Sequence, residues 1–256
     1  MPANENRIEA SPFFRLRSSD LERSSPVCDN DRRRDDTPTE GETYVLSKAI
    51  LFDLDGTLLQ TQIHSCRAAH ETLRALHLPD VSDEFVMRQI GEPADVFLRA
   101  IAPEYPDLAS FESLYDANER EALKQSGKLY NGVPELLAAL QQRGYQLAIC
   151  SNGSRDYVET ALEATGIRRF FSRLACAGEF SDKTEAVGAI IREWNSDFSV
   201  VVGDRVHDKE AAEQNSLPFI AAEYGYGGEE LNNSVIRARN PLEILQLLDQ
   251  IEKGML

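Results

Sequence analysis

The chain has 256 residues, 42% of them hydrophobic, with 43 Asp and Glu against 27 Lys and Arg, a formal net charge of −16. That length allows one large domain or a domain carrying a smaller insert, and the apolar content is enough to build a core. The charge argues against nucleic acid as a partner, because phosphate neutralisation needs a basic face, and against docking on an anionic membrane.

No apolar run reaches the ~20 residues of a membrane-spanning helix. The first residues also lack the basic-then-apolar order of a secretory signal. Cys28, Cys66, Cys150 and Cys176 form no Cys-x-x-Cys pair, so neither a disulfide framework nor a zinc site is expected. A cytoplasmic location follows as the expectation.

Residues 1–45 are polar, charged and turn-rich, as in Ser24-Ser25-Pro26, Arg32-Arg33-Arg34-Asp35-Asp36 and Thr37-Pro38-Thr39-Glu40-Gly41. Such a segment buries too little surface to offset its ordering entropy and reads as a disordered tail.

From Lys48 the pattern changes. Ala49-Ile50-Leu51-Phe52 is a short apolar run that breaks at Asp53-Leu54-Asp55-Gly56-Thr57, a buried strand entering a tight turn. Between this strand and Pro134 the chain offers helical stretches only, at 64–76, 82–90, 93–101 and 108–124. They read as an all-helical insert. Strands and helices then alternate. Gln146–Cys150 ends at Ser151-Asn152-Gly153, Leu174–Ala177 is a weaker strand, Ser199–Val202 ends at Gly203-Asp204, and Phe219–Ala222 runs toward Gly225-Tyr226-Gly227-Gly228. Helices are expected over 134–143, 155–165, 184–194 and 241–251, several of them closed by glycine.

Continuous apolar strands alternating with helices predict a Rossmann-like α/β fold, an open parallel sheet with helices on both faces. The expected division is a tail at 1–45, a core domain at 46–60 and 130–256, and a helical cap domain at 61–129. Ligands in such sheets sit beyond the carboxyl ends of the strands, where the cap would overhang them.

The same edge collects the polar residues. Asp53 and Asp55 leave the first strand, Ser151 and Asn152 the second and Asp204 another, while Lys183 opens a helix. Converging carboxylates repel and raise one another's pKa, and a hard divalent cation relieves this. Mg²⁺ suits one or two carboxylates, water and a substrate phosphate. Lys183 and Ser151 supply a cation and a donor for a phosphoryl group.

Asp53-Leu54-Asp55-Gly56-Thr57 resembles the first motif of the haloacid dehalogenase-like (HAD) hydrolases. Ser151-Asn152-Gly153 is similar to the second, Lys183 to the third and Gly203-Asp204-Arg205-Val206-His207-Asp208 to the fourth, in the family's order. The resemblance covers roughly residues 47–250. It is strongest toward phosphoglycolate phosphatase-like members with a small helical cap, through Gly91-Glu92-Pro93 and Tyr224-Gly225-Tyr226-Gly227.

The resemblance implies an Mg²⁺-dependent phosphatase acting on a small phosphorylated metabolite through an aspartyl-phosphate. Asp53 would be the nucleophile and Asp55 the general acid and base. Asp53, Asp204 and the backbone carbonyl of Asp55 would hold the metal. Thr57, Ser151, Asn152 and Lys183 would bind substrate, and Asp208 would support Lys183. In the cap, His64, Arg67, Arg88 and Arg99 read first as solvated helix-face residues and second as contacts for a substrate carboxylate or second phosphate. Two alternatives share these motifs: a phosphosugar mutase of the β-phosphoglucomutase type, and a non-catalytic HAD-like binding module.

Overall fold

A computed structural model describes residues 46–256 except 232, 234 and 235, so the tail expected over 1–45 lies outside the described residues. Six strands form one sheet: β1 (Lys48–Phe52), β2 (Tyr145–Cys150), β3 (Arg173–Ala175), β4 (Phe198–Gly203), β5 (Phe219–Ala222) and β6 (Arg237–Ala238). Their order is β3-β2-β1-β4-β5-β6, and every neighbouring pair is parallel. The chain winds outward from β1 through β2 to β3, then returns to β4 on the other side of β1. The crevice therefore opens beyond the carboxyl ends of β1 and β4.

Strand residues alternate between two cores. Ile50, Phe52, Leu147, Ile149, Val200 and Val202 face one side. There they meet α5 (Val133–Gln142), α6 (Arg155–Ala164) and α9 (Glu243–Glu252). Ala49, Leu51, Ala148, Cys150 and Val201 face the other side, against α7 (Lys183–Trp194) and α8 (Val206–Gln214). Burial on both faces is why these strands read as continuous apolar runs. A fully buried side chain such as Ile50 or Phe52 contributes about 1.5–3 kcal/mol.

Sequence reasoning missed two elements. Helix α8 is short of apolar residues because only Ala211 and Ala212 pack against the sheet, so its amphipathic signal is faint. Strand β6 is two residues long and carries no period at all.

The insert consists of α1 (Gln62–Ala75), α2 (Asp83–Gln89), α3 (Ala94–Ile101) and α4 (Leu108–Ser126). Its apolar residues, among them Ala69, Leu73, Val86, Leu98 and Phe111, form a cluster separate from the two sheet cores. Ser82 caps α2 by accepting from Phe85 N at 3.2 Å, and Asp107 caps α4 by accepting from Ser110 N at 3.1 Å. Along the α1–α4 seam, Asn118 donates to Thr72 Oγ1 at 2.9 Å and Arg67 to Gln125 Oε1 at 2.8 Å.

The two strands of chain that enter and leave the insert are tied together. Gln60 N donates to Lys128 O at 2.8 Å, Tyr130 N to Leu58 O at 3.0 Å, and the Gln60 side chain to Leu129 O at 2.7 Å. Among the described residues, no helix is long and apolar enough to cross a membrane.

Candidate active site

Asp53 follows β1 directly, and its N–H donates to Val202 O at 2.9 Å, extending the ladder one step past the strand. The rigid sheet edge thus sets the carboxylate's position. Asp182 caps α7 by accepting from Glu185 N at 2.8 Å, which puts Lys183 in the first turn with its side chain buried. Lys183 Nζ lies 2.6 Å from Asp53 Oδ1 and 2.6 Å from Asp208 Oδ1. Burial disfavours the ammonium, but Asp208 and Asp53 outweigh it, and the pKa of Lys183 is raised. Burial also drives the Asp53 carboxyl well above the usual carboxylate range. Lys183 opposes that rise, while Asp208, Asp204 and Asp55 add to it.

Asp204 stands at the end of β4, wholly buried. Thr57 Oγ1 donates to its Oδ1 at 3.1 Å and Tyr226 N to its Oδ2 at 2.6 Å. Burial, with Asp208 beside it, pushes Asp204 up to about 7 against those hydrogen bonds. Two glycines make the close approach possible. Gly56 has φ +83, and a Cβ there would strike the Asp204 carboxylate and the Tyr226 ring. A Cβ on Gly225 would also collide with the Asp204 side chain. The Tyr224-Gly225-Tyr226-Gly227 segment noted in the sequence therefore wraps Asp204.

Asp55 turns away from this group. Its Oδ1 accepts from Tyr157 OH at 2.5 Å and from Thr61 Oγ1 at 2.7 Å. Burial raises its pKa, and the hydroxyls of Tyr157 and Thr61 hold the rise back. Its Oδ1 is thus engaged by two hydroxyls, and its carboxylate is not one of the three that converge with Asp53. His64 Nε2 lies 3.2 Å from the same Tyr157 hydroxyl, and His64 is completely buried, which overturns its reading as a solvated helix-face residue. Burial lowers its pKa to about 4. Arg67, Arg88 and Arg99 are exposed. None of the three lines either cleft around the strand ends.

The remaining predicted site residues lie around this centre. Ser151 is buried at the end of β2, with its Oγ accepting from Gly153 N at 3.0 Å. Asn152 Nδ2 donates to Gly91 O of the insert at 2.9 Å. Thr57 is buried and spends its hydroxyl on Asp204. Asp208 accepts Lys183 on Oδ1 and the Arg205 N–H on Oδ2 at 3.0 Å.

Sequence reasoning missed Arg205, although it sits inside the quoted fourth motif. Its buried guanidinium donates to Ile90 O, to Glu92 Oε1 at 2.5 Å and to Glu230 Oε1 at 3.0 Å, joining core to insert. Thr61 and Tyr157 were missed as well. A hydroxyl in a helical stretch has no local mark of the carboxylate it will meet.

Asp53, Asp204 and Asp208 present oxygens that all lie within 4.8 Å of one another. Asp53 Oδ2 is buried and takes no hydrogen bond among the described residues. An orphaned buried carboxylate oxygen beside two further carboxylates fits a hard divalent cation, which would supply the missing positive charge.

The haloacid dehalogenase-like hydrolase model matches residues 50–222. The chain belongs to the haloacid dehalogenase-like hydrolase family. Its similarity extends to phosphoglycolate phosphatases from Agrobacterium fabrum and Vibrio cholerae. The first is 30% identical over 192 residues, which is 71% of this chain and 82% of that protein. The second is 32% identical over 202 residues, 73% of this chain and 89% of that protein. The crystal structure of a predicted phosphoglycolate phosphatase from Haemophilus somnus superposes with a TM-score of 0.75 at 25% identity, covering 79% of this chain and 98% of that one. A haloacid dehalogenase-like hydrolase from Streptococcus pneumoniae shares the fold, with a TM-score of 0.69 at 20% identity over 79% of this chain and 98% of its own.

Proposed function

We propose that the chain is an Mg²⁺-dependent phosphatase of small phosphomonoesters, related to the phosphoglycolate phosphatases, that works through an aspartyl-phosphate on Asp53. The observation that carries this reading is the state of Asp53. One of its oxygens is held by Lys183, and the other is buried beside Asp204 and Asp208 with no partner among the described residues.

Asp53, Asp204 and the backbone carbonyl of Asp55 would hold Mg²⁺, with Asp208 beside them. When bound, Mg²⁺ offsets the repulsion between a carboxylate nucleophile and a phosphate and polarises a phosphoryl oxygen. Lys183 and the Ser151 hydroxyl receive the remaining phosphoryl charge. The carboxylate of Asp53 attacks phosphorus, a bond to the carboxylate oxygen forms, and the bond from phosphorus to the leaving alcohol breaks. A loose phosphoryl-transfer transition state asks mainly for positioning and charge, so a weakly basic carboxylate is sufficient. Asp55, whose pKa burial raises, gives its proton to the departing alcohol. It then takes a proton from water, which attacks the aspartyl-phosphate, releases phosphate and restores Asp53.

Helices α1–α4 act as the cap that closes this cleft from water. Cys66, Cys150 and Cys176 are buried free thiols, which suits a reducing, cytoplasmic setting.

Phosphate release from a panel of small phosphomonoesters tests this reading. We expect turnover with Mg²⁺, loss of turnover in EDTA and recovery when Mg²⁺ is restored. Full activity in chelator removes the metal from the scheme. Isomer formation without phosphate release replaces hydrolysis by a mutase reaction.

A further inference from the structure

His64 is a buried ionisable group that the reaction above does not use. It lies in the first turn of α1, three residues after Thr61, and its side chain is wholly enclosed. Among the described residues its ring makes one hydrogen bond, between Nε2 and the Tyr157 hydroxyl at 3.2 Å, and Nδ1 is buried without a partner. The two ring centroids are 6.1 Å apart at a tilt of 38°, so the hydroxyl joins them rather than stacking. An apolar side chain would fill this place without stranding a nitrogen. A buried polar atom left unpaired in this way asks for a use of the other one.

Proton counting sets the direction of the contact. Burial lowers the pKa of His64 to about 4, so near neutral pH the ring is uncharged and carries one N–H. Were that proton on Nδ1, a buried N–H would have no acceptor among the described residues. With the proton on Nε2 the orphan is a bare lone pair, the less costly of the two. Nε2–H therefore donates to the Tyr157 oxygen. The phenol has a single proton, and it goes to Asp55 Oδ1 at 2.5 Å, where Thr61 Oγ1 also donates at 2.7 Å. With two donors on Oδ1, a proton carried by this carboxyl belongs on Oδ2. Asp53, Asp55, Thr61 and Tyr157 line one cleft beyond the strand ends, into which an alcohol leaving a phosphate on Asp53 departs.

We propose that His64 is a positioning residue: by donating to the Tyr157 oxygen it commits the Tyr157 proton to Asp55 Oδ1, and so reserves Asp55 Oδ2 for the proton that passes to the leaving alcohol. This rests on the reading of Asp55 as the acid that serves that alcohol. His64 acts through Tyr157 and touches no reacting atom. Buried hydrogen bonds in a chain polarise one another, so the imidazole also makes the phenol a stronger donor.

The tautomer is read first. Long-range proton–nitrogen correlation on the nitrogen-15-labelled full-length chain, near neutral pH, should show His64 protonated at Nε2 and bare at Nδ1. The His64 signals are those missing from His64→Gln. A ring protonated at Nδ1 overturns the proposal.

Leaving-group dependence is read second, with Mg²⁺. An alkoxide needs a proton to depart and a nitrophenolate does not. His64→Leu should lower kcat/KM about fivefold for 2-phosphoglycolate, or for the best alkyl ester of the panel, and less than about twofold for p-nitrophenyl phosphate. His64→Gln keeps an N–H near the place of Nε2 and should restore the alkyl ester to within about twofold of wild type. In a Tyr157→Phe background His64→Leu should cost nothing further, because the residue it acts through has lost its hydroxyl. Equal losses on the two esters, a failure of Gln to rescue, or additive losses in the double variant overturn the proposal. If wild type hydrolyses no alkyl ester, the phosphatase reading fails, and the tautomer alone decides whether His64 directs the Tyr157 proton.

Discussion

The Tyr157 hydroxyl donates to Asp55 Oδ1 at 2.5 Å, so a helix that follows the second motif positions a carboxylate that belongs to the first. Tyr157→Phe removes the donor and leaves the ring. We expect kcat to fall about 10- to 100-fold, the range of acid–base catalysis, with KM changed little. The lost hydrogen bond was holding the pKa of Asp55 down, so its absence lets that pKa rise. Asp55 must be protonated to serve the leaving alcohol, and the alkaline limb of kcat/KM therefore moves to higher pH. A pH–rate profile of the two proteins reads this directly; a profile that drops without moving would reduce Tyr157 to packing.

Asp53→Asn should abolish turnover while the fold persists. Burial holds the Asp53 carboxyl well above its usual range, which means that its ionised form destabilises the metal-free protein near neutral pH. The neutral amide removes that cost, and Lys183 keeps Asp208 as a partner. Melting of the metal-free variant at pH 8 should occur no lower than that of wild type. Phosphatase activity equal to wild type would end the nucleophile assignment.

Lys183→Met strands two buried carboxylates at once. Breaking a buried ion pair from one side costs about 3–5 kcal/mol, and here the ammonium serves both Asp53 and Asp208 at 2.6 Å. Urea denaturation at pH 8 should show a loss of that order, together with loss of activity. Added Mg²⁺ should recover part of the stability by supplying positive charge to the same oxygens. Arg should not rescue the site, because a planar guanidinium does not replace a compact ammonium there.

His64 gives the chain a pH-dependent liability. Its folded pKa is about 4 against an ordinary 6.5, and its Nδ1 is buried without a partner among the described residues. Below pH 6.5 the unfolded chain binds a proton that the folded chain refuses, so stability falls as pH drops from 6.5 toward 4. The full loss is at most about 3 kcal/mol. His64→Gln, which retains a group able to meet Tyr157, should flatten that part of the profile. The check is the difference in unfolding free energy between pH 7.5 and pH 4.5 in the two proteins.

The sheet was largely legible because burial on both faces writes itself as unbroken apolar runs, and β5 appears with the bounds its pattern gave. The residues ending β1, β2 and β4 were legible for a related reason: polar groups placed directly after a buried strand have few other uses. Cross-chain partners were not legible. Tyr157 and Asp55 stand 102 positions apart, and Glu119 finds Ser65 across 54. Only packing decides such meetings. The cap arginines Arg67, Arg88 and Arg99 are exposed, as their first reading as solvated helix-face residues expects, and Arg67 pairs with Glu71 along its own helix.

The insert is fastened to the core partly through main-chain oxygens, with Asn152 donating to Gly91 O and Arg205 to Ile90 O. Such anchors do not depend on which side chains the insert carries. Evolution can therefore exchange side chains elsewhere in the insert while the attachment survives each change. Descendants of one scaffold could diversify in diet without relearning how to shut.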